Sequence, residues 1–199
     1  VWGAWFVTLG TFLINNLHAN GAQTSSVFST QSWGAIIAPF IIGLIADRFF
    51  NAEKILAVLH LIGAALMYHL YSMGSVTDVY PPAFFYYLLI YMILFMPTLA
   101  LVNSISFNQM KDTEKEFPGV RVWGTIGWIV AGLAISLVFL WDKEENVKAC
   151  LMKNTFLLAS IVSLVLGIFS FTLPKTLPKV VKGTKVKVSE ILGLDALKL

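Results

Sequence analysis

Few residues of this 199-residue chain are equipped for chemistry, and the clearest group lies in the segment FPGVRVWGTIGW. At 100° per residue, Thr125, Trp128 and Gly132 fall within about 40° of Arg121 on one helix face. That face offers five fixed guanidinium donors, a hydroxyl that donates and accepts, and an indole ring against which a cyclic solute can lie. This is binding chemistry. Asn103 and Phe107, four residues apart, can meet across a helical turn and add a polar contact, although a buried Asn more commonly bonds a neighbouring helix. His60 and His69 stand nine residues apart on opposite faces, so they cannot share a metal; each reads as a hydrogen-bonded packing residue. Cys150 is the only cysteine, which allows neither an intramolecular disulfide nor a cysteine metal cage. Paired carboxylates, a Ser/His/Asp set and a His metal cluster are all missing from the apolar runs, so an enzyme, a metal or a cofactor is not expected.

The elements that carry these residues are set by composition. Hydrophobic residues make up 57% of the chain and charged residues 13%, with a mean hydropathy of +0.77. Ordinary soluble domains carry about 25% charged residues. A chain this apolar needs lipid around it. Its basic residues occur in short segments between apolar runs, not in a stripe with interleaved aromatics, so nucleic acid is not an expected partner.

A bilayer core needs roughly 20 apolar residues per helix. Six charge-free runs meet that need: Val1 to Leu17, Ser25 to Ala46, Ile55 to Met73, Pro82 to Phe107, Val122 to Trp141 and Asn154 to Leu173. The first lacks the basic flank and cleavage site of a signal peptide and reads as a true helix, entered part-way along. Lys and Arg number zero, zero and three in the loops after spans one, three and five, against two, three and five after spans two, four and six. The positive-inside rule then places the N-terminus and the even-numbered loops in the cytoplasm. On this count Arg121 belongs to the start of span five, where an arginine anchors a helix; a helix starting near Thr113 would instead carry it two turns inside, past a possible kink at Pro118. Pro97 offers a similar kink in span four.

Residues 1–173 thus read as a six-helix transmembrane bundle and residues 174–199 as a basic cytoplasmic linker leading into a seventh helix at SEILGLDALKL. Its lysines can also rest on anionic headgroups, at about 1 kcal/mol each. The fold class is an all-α membrane protein, the N-terminal half of a transporter whose halves are each two inverted three-helix repeats, with the C-terminal half lying beyond this chain.

Two motifs sharpen this architecture. GLIADRFF, with Gly43, Asp47 and Arg48, resembles the Gly-x-x-x-Asp-Arg/Lys signature between helices two and three of the major facilitator superfamily, which implies a conformational latch. The sequence departs from that pattern at Phe50, where the family expects Gly. FPGVRVWGTIGW, preceded by MPTLALVNSISF and supported by WGAWFVTLGTF and ILGLDAL, closely resembles the nucleoside:proton symporter family of bacterial nucleoside permeases. The resemblance implies substrate contacts at Arg121, Thr125 and Trp128, a base or sugar lying on Trp128, and Asn103 as a lesser contact. It further implies a nucleoside and a proton as cargo, the bacterial inner membrane as location, and alternating access as mechanism. No carboxylate lies within the six runs, so a titrating acid is expected in the other half. A permease for sugars or other polar metabolites shares the superfamily signature, and a non-transporting membrane receptor shares the architecture.

Overall fold

The computed structural model describes residues 1–41, 50–76 and 79–177, and all regular structure among them is helical. The chain opens with a 3-10 turn (Trp2–Ala4), α1 (Leu9–Thr11) and a π turn (Phe12–Asn16), together forming one helical run. Then follow α2 (Gly21–Ile41), α3 (Ala52–Val76), α4 (Ala83–Gln109) and α5 (Thr113–Leu133), the last continued by a π turn (Ala134–Val138). A short α6 (Glu144–Lys148) and a 3-10 turn (Leu151–Lys153) lead into α7 (Asn154–Ser170).

The stretches Ala52–Gly74, Ala83–Gln109, Thr113–Val138 and Leu151–Ser170 are each long and apolar enough to cross a membrane. They coincide with expected spans three to six. The first helical run and α2 occupy the places of spans one and two; the end of span two, with the motif residues Gly43, Asp47 and Arg48, lies outside the described residues, as does SEILGLDALKL. Pro39, Pro97 and Pro118 all lie inside helices that continue through them.

Hydropathy misplaces the start of span five by nine residues. Asp112 caps α5: its Oδ1 accepts from the Lys115 backbone N–H at 3.3 Å, while Glu116 Oε1 accepts from the Asp112 N–H at 3.1 Å. Glu114 and Glu116 in the first turn also suit the positive end of the helix dipole. A charged turn can thus open a membrane helix. Similarly, α3 begins before Ile55 and takes in Glu53, which is buried.

Small residues let α7 lie tight against α3. Ser160 Oγ donates to the Ala64 carbonyl at 2.8 Å, and Ser163 Oγ donates to the His60 carbonyl at 3.0 Å. Ser163 Oγ then accepts from His60 Nδ1 at 3.1 Å, making His60 the hydrogen-bonded packing residue expected. One turn on, a Cβ on Gly167 would stand 3.2 Å from the Ala57 carbonyl oxygen and 3.0 Å from Leu61. Hydroxyls and missing side chains at three- and four-residue intervals are how membrane helices pack without a hydrophobic driving force between them. His69 behaves differently: it is exposed, its ring 4.2 Å from that of Tyr87.

The first run is held by aromatic packing. Trp5, fully buried, stacks on Phe156 of α7 at 6.0 Å and meets Tyr91 of α4 edge-to-face at 5.8 Å, while Phe12 meets Phe156 at 5.1 Å. Such pairs add about 0.5–1.5 kcal/mol beyond area burial. Interfacial solvation is the expectation for Asn15 and Asn16, and Asn15 is indeed exposed. Asn16 corrects it. Its amide is buried, donating to the Val147 carbonyl at 2.6 Å and lying 3.4 Å from Cys150 Sγ, which fastens the end of the run to α6. At the opposite end, the segment after α7 is tied to α3: the Thr176 N–H donates to Glu53 Oε2 at 2.9 Å, and the Ala52 N–H donates to the Thr176 carbonyl at 3.1 Å.

Candidate functional site

Against this packed core α5 stands apart, for none of its residues is buried. Among the described residues, aromatic rings hold it at two places. Near its start, the Phe117 ring lies 4.5 Å from that of Phe107 on α4. Farther along, Trp128 meets Trp2 edge-to-face at 5.6 Å, and a Cβ on Gly3 would come within 3.1 Å of the Trp128 Cα and ring. The two contacts are eleven residues apart, about 16 Å along the axis.

Between them runs the stripe expected from the sequence, with Phe117 added. Phe117, Thr125, Trp128 and Gly132 all fall within about 40° of Arg121 at 100° per residue. Arg121 and Thr125 are exposed on it, and among the described residues Arg121 forms no ion pair. Arg121 also lies eight residues beyond the first residue of α5, about 12 Å inside the helix. The start of α5 therefore puts Arg121 two turns inside the helix rather than at its end.

Across from this stripe, α4 presents Asn103 and Phe107. Asn103 is exposed, and no hydrogen bond joins it to another helix among the described residues. It lies four residues from Phe107 as Arg121 lies four from Phe117, so on these antiparallel helices the two polar groups stand at matching height, about 6 Å above the aromatic pair. The arrangement is a groove with an aromatic floor, polar groups one turn up and an indole two turns further. Among the described residues Arg121, Thr125 and Asn103 have no side-chain partner, which leaves their donors and acceptors to a solute.

A cavity of about 590 Å³ is a separate space on another side of α5, lined there by Trp123, Gly124, Gly127 and Ala131. Those residues centre roughly 100° around the helix from Arg121. Trp128 stands at the border and lines both. Two of the cavity's polar side chains are engaged, Thr98 Oγ donating to the Phe95 carbonyl at 2.6 Å and His60 bonding Ser163. The cavity walls are mostly apolar, whereas the groove carries Arg121, Thr125 and Asn103, so the groove is taken as the candidate site for a polar solute.

Sequence reasoning passes over Phe117, Trp2 and Gly3. Phe117 was within reach, since it precedes Arg121 by one four-residue step. Trp2 and Gly3 were not, because their role depends on a residue more than 120 positions away.

A membrane bundle with an open polar groove on its fifth span has clear relatives. The family model described as Nucleoside H+ symporter matches residues 1–199. The chain belongs to that family. Members of the nucleoside H+ symporter family are transporters, not enzymes, and its relatives agree: the chain is 38% identical over 200 residues to the xanthosine permease of Escherichia coli (strain K12) and 32% identical over 203 residues to the nucleoside permease NupG of the same organism. These alignments take in 98% and 100% of the chain but 44% and 45% of those proteins, so the chain spans less than half the length of the curated relatives it matches. Its structure also superposes on crystal structures of the nucleoside transporter NupG, with TM-scores of 0.83 for a mutant and 0.78 for a second structure, both at 30% identity over 99% of this chain and 46% of the other. The all-helical transporter fold expected from the sequence is the one observed.

Proposed function

We propose that residues 1–173 form the N-terminal bundle of a nucleoside:proton symporter and that residues 174–199 link it to a second bundle. The observation that carries this reading is the groove: Arg121, Thr125 and Trp128 on one face of α5, opposite Asn103, in a chain of the nucleoside H+ symporter family. A nucleoside offers what that wall accepts. Its base is a flat ring that can lie on Trp128, a contact worth about 1–3 kcal/mol in nucleic-acid complexes, and its ribose hydroxyls and base carbonyls can take hydrogen bonds from Arg121, Thr125 and Asn103.

The second bundle would supply the facing wall, and rocking of one bundle against the other would expose the substrate to each side in turn. Gly43, Asp47 and Arg48 are assigned to a latch at the cytoplasmic edge of that movement. The carboxylates in the long described helices, Glu53, Glu114 and Glu116, lie in first turns, and the proton-carrying acid is assigned to the other bundle. The location proposed is a bacterial inner membrane, with the N-terminus and even-numbered loops in the cytoplasm; a proton entering down 100 mV contributes about 2.3 kcal/mol.

The test is uptake of labelled uridine by full-length protein in proteoliposomes, with and without an inward proton gradient, competed by purine nucleosides, free bases and sugars. Gradient-dependent uptake competed by nucleosides is expected. Competition by sugars alone overturns the substrate, and specific binding without uptake overturns transport in favour of a receptor.

A further inference from the structure

The Trp128 platform is backed by the first helical run, at a point no substrate contact explains. Trp2 is wedged among three rings, with centroids 5.2 Å from Phe6, 5.8 Å from Phe95 and 5.6 Å from Trp128. Those of Phe6 and Phe95 fix the Trp2 ring, and Trp2 in turn stands nearly perpendicular to Trp128, at 75°. Gly3 completes the support. A Cβ there would sit 3.1 Å from the Trp128 Cα, Cγ and Cδ2, so the missing side chain lets the backbone of α5 and the root of the indole settle against the run.

Among the described residues, Trp2 is the one aromatic ring that meets Trp128. Trp128 is 37% exposed on a helix without buried residues, and an indole attached only by its own two torsions would sample several staggered orientations. We infer that Trp2 and Gly3 are positioning residues that set the orientation of the Trp128 ring and thereby the affinity for the base of a bound nucleoside. The inference rests on Trp128 forming part of the substrate wall. Preorganisation of this kind raises affinity because the ring need not be ordered on binding. Trp2 Nε1 is buried without an acceptor among the described residues, so Trp2→Phe removes no hydrogen bond and alters the ring contact alone.

The experiment measures uridine binding to the purified full-length carrier for Gly3→Ala, Trp2→Ala, Trp2→Phe, Trp128→Ala and the double variant Gly3→Ala/Trp128→Ala, with abundance and melting temperature as controls. Trp128→Ala is expected to weaken binding about tenfold, in line with a lost stacking contact. Gly3→Ala and Trp2→Ala should each weaken it about fivefold in carrier that is still folded at the assay temperature, Trp2→Phe by less than twofold, and Gly3→Ala should add nothing once Trp128 is gone. A second readout does not depend on substrate: the exciton couplet of two close, crossed indoles in circular dichroism should vanish in both Trp2→Phe and Trp128→Phe and shift in Gly3→Ala. An equal penalty for Gly3→Ala with and without Trp128, or unchanged affinity in both Gly3→Ala and Trp2→Ala while Trp128→Ala is impaired, overturns the positioning role alone. Unchanged affinity in Trp128→Ala overturns the wall as well.

Discussion

Phe107, two residues before the end of α4, and Phe117, in the second turn of α5, hold their ring centroids 4.5 Å apart. This contact closes the groove at the end where the two helices are joined, and it is one of only two aromatic contacts by which the described bundle grips α5. Because α5 has no buried residue to keep it in place, the pair should matter more to the shape of the groove than to the stability of the fold. Replacing either ring with Ala is expected to cost about 0.5–1.5 kcal/mol of coupling in a double-mutant cycle. Measured as uridine affinity, Phe107→Ala, Phe117→Ala and the double variant should be about equally impaired. Strictly additive losses would mean that the rings act separately.

Arg121 is the group whose role changes most with the position of the α5 start. Two turns inside the helix and free of ion pairs among the described residues, it has its five donors available. Arg121→Ala in the full-length carrier should therefore lower nucleoside affinity by about 10- to 100-fold, the cost of one or two hydrogen bonds to a charged donor, while membrane insertion stays normal. Arg121→Lys should recover little, because a point charge on a flexible stem does not reproduce the planar fork. Near-normal affinity in both variants would return Arg121 to an anchoring role.

How far this site could be read from sequence depends on the range of each interaction. Span positions were legible because the length of an apolar run is a local property, and the face shared by Arg121, Thr125 and Trp128 was legible because helical period is too. The start of α5 was hidden from hydropathy by its charged first turn, yet Asp112, Glu114 and Glu116 spell out a helix start to a reader looking for caps. Asn16 was misjudged for a different reason. Its partners, Val147 and Cys150, are 131 and 134 residues away, and no local pattern announces them. The support that Gly3 gives Trp128 belongs to the same class.

The contact between α3 and α7 gives a stability prediction separate from transport. At Gly167 an added methyl meets the Ala57 backbone carbonyl at 3.2 Å, and a carbonyl cannot move aside as a side chain can. Gly167→Val should cost about 1–3 kcal/mol, as overpacking of a tight interface does. It should appear as a lower melting temperature of the detergent-solubilised carrier. Ser160→Ala, which removes only the bond to the Ala64 carbonyl, should cost about 0.6 kcal/mol, the average for a hydrogen bond between membrane helices. A Ser160→Ala loss as large as that of Gly167→Val would mean that polar bonds, not close approach, hold these helices.

Orientation can be tested with the sole cysteine of this chain. The loop counts behind the proposed topology include Arg121 with Lys111 and Lys115 on the cytoplasmic side, but the early start of α5 moves Arg121 into the helix and leaves two basic residues there. The α6 segment carries three, Lys143, Lys148 and Lys153. Taken alone, this pair of loops would favour the reverse orientation, so the topology rests on the other loops, where Arg48, Lys54 and the lysines after Pro174 face none on the opposite side. Cys150 lies beside α6, half-buried, its sulfur 3.4 Å from the Asn16 amide. If the N-terminus is cytoplasmic, a membrane-impermeant maleimide should label Cys150 in intact cells, with any cysteines elsewhere in the carrier replaced. Lys115→Cys in a Cys150→Ser background should label only after permeabilisation. Asn16→Ala should speed labelling of Cys150 by loosening its surroundings without changing the side from which it reacts. Labelling of Cys150 only in permeabilised cells would invert the whole bundle and put the Phe107–Phe117 end of the groove at the outer face.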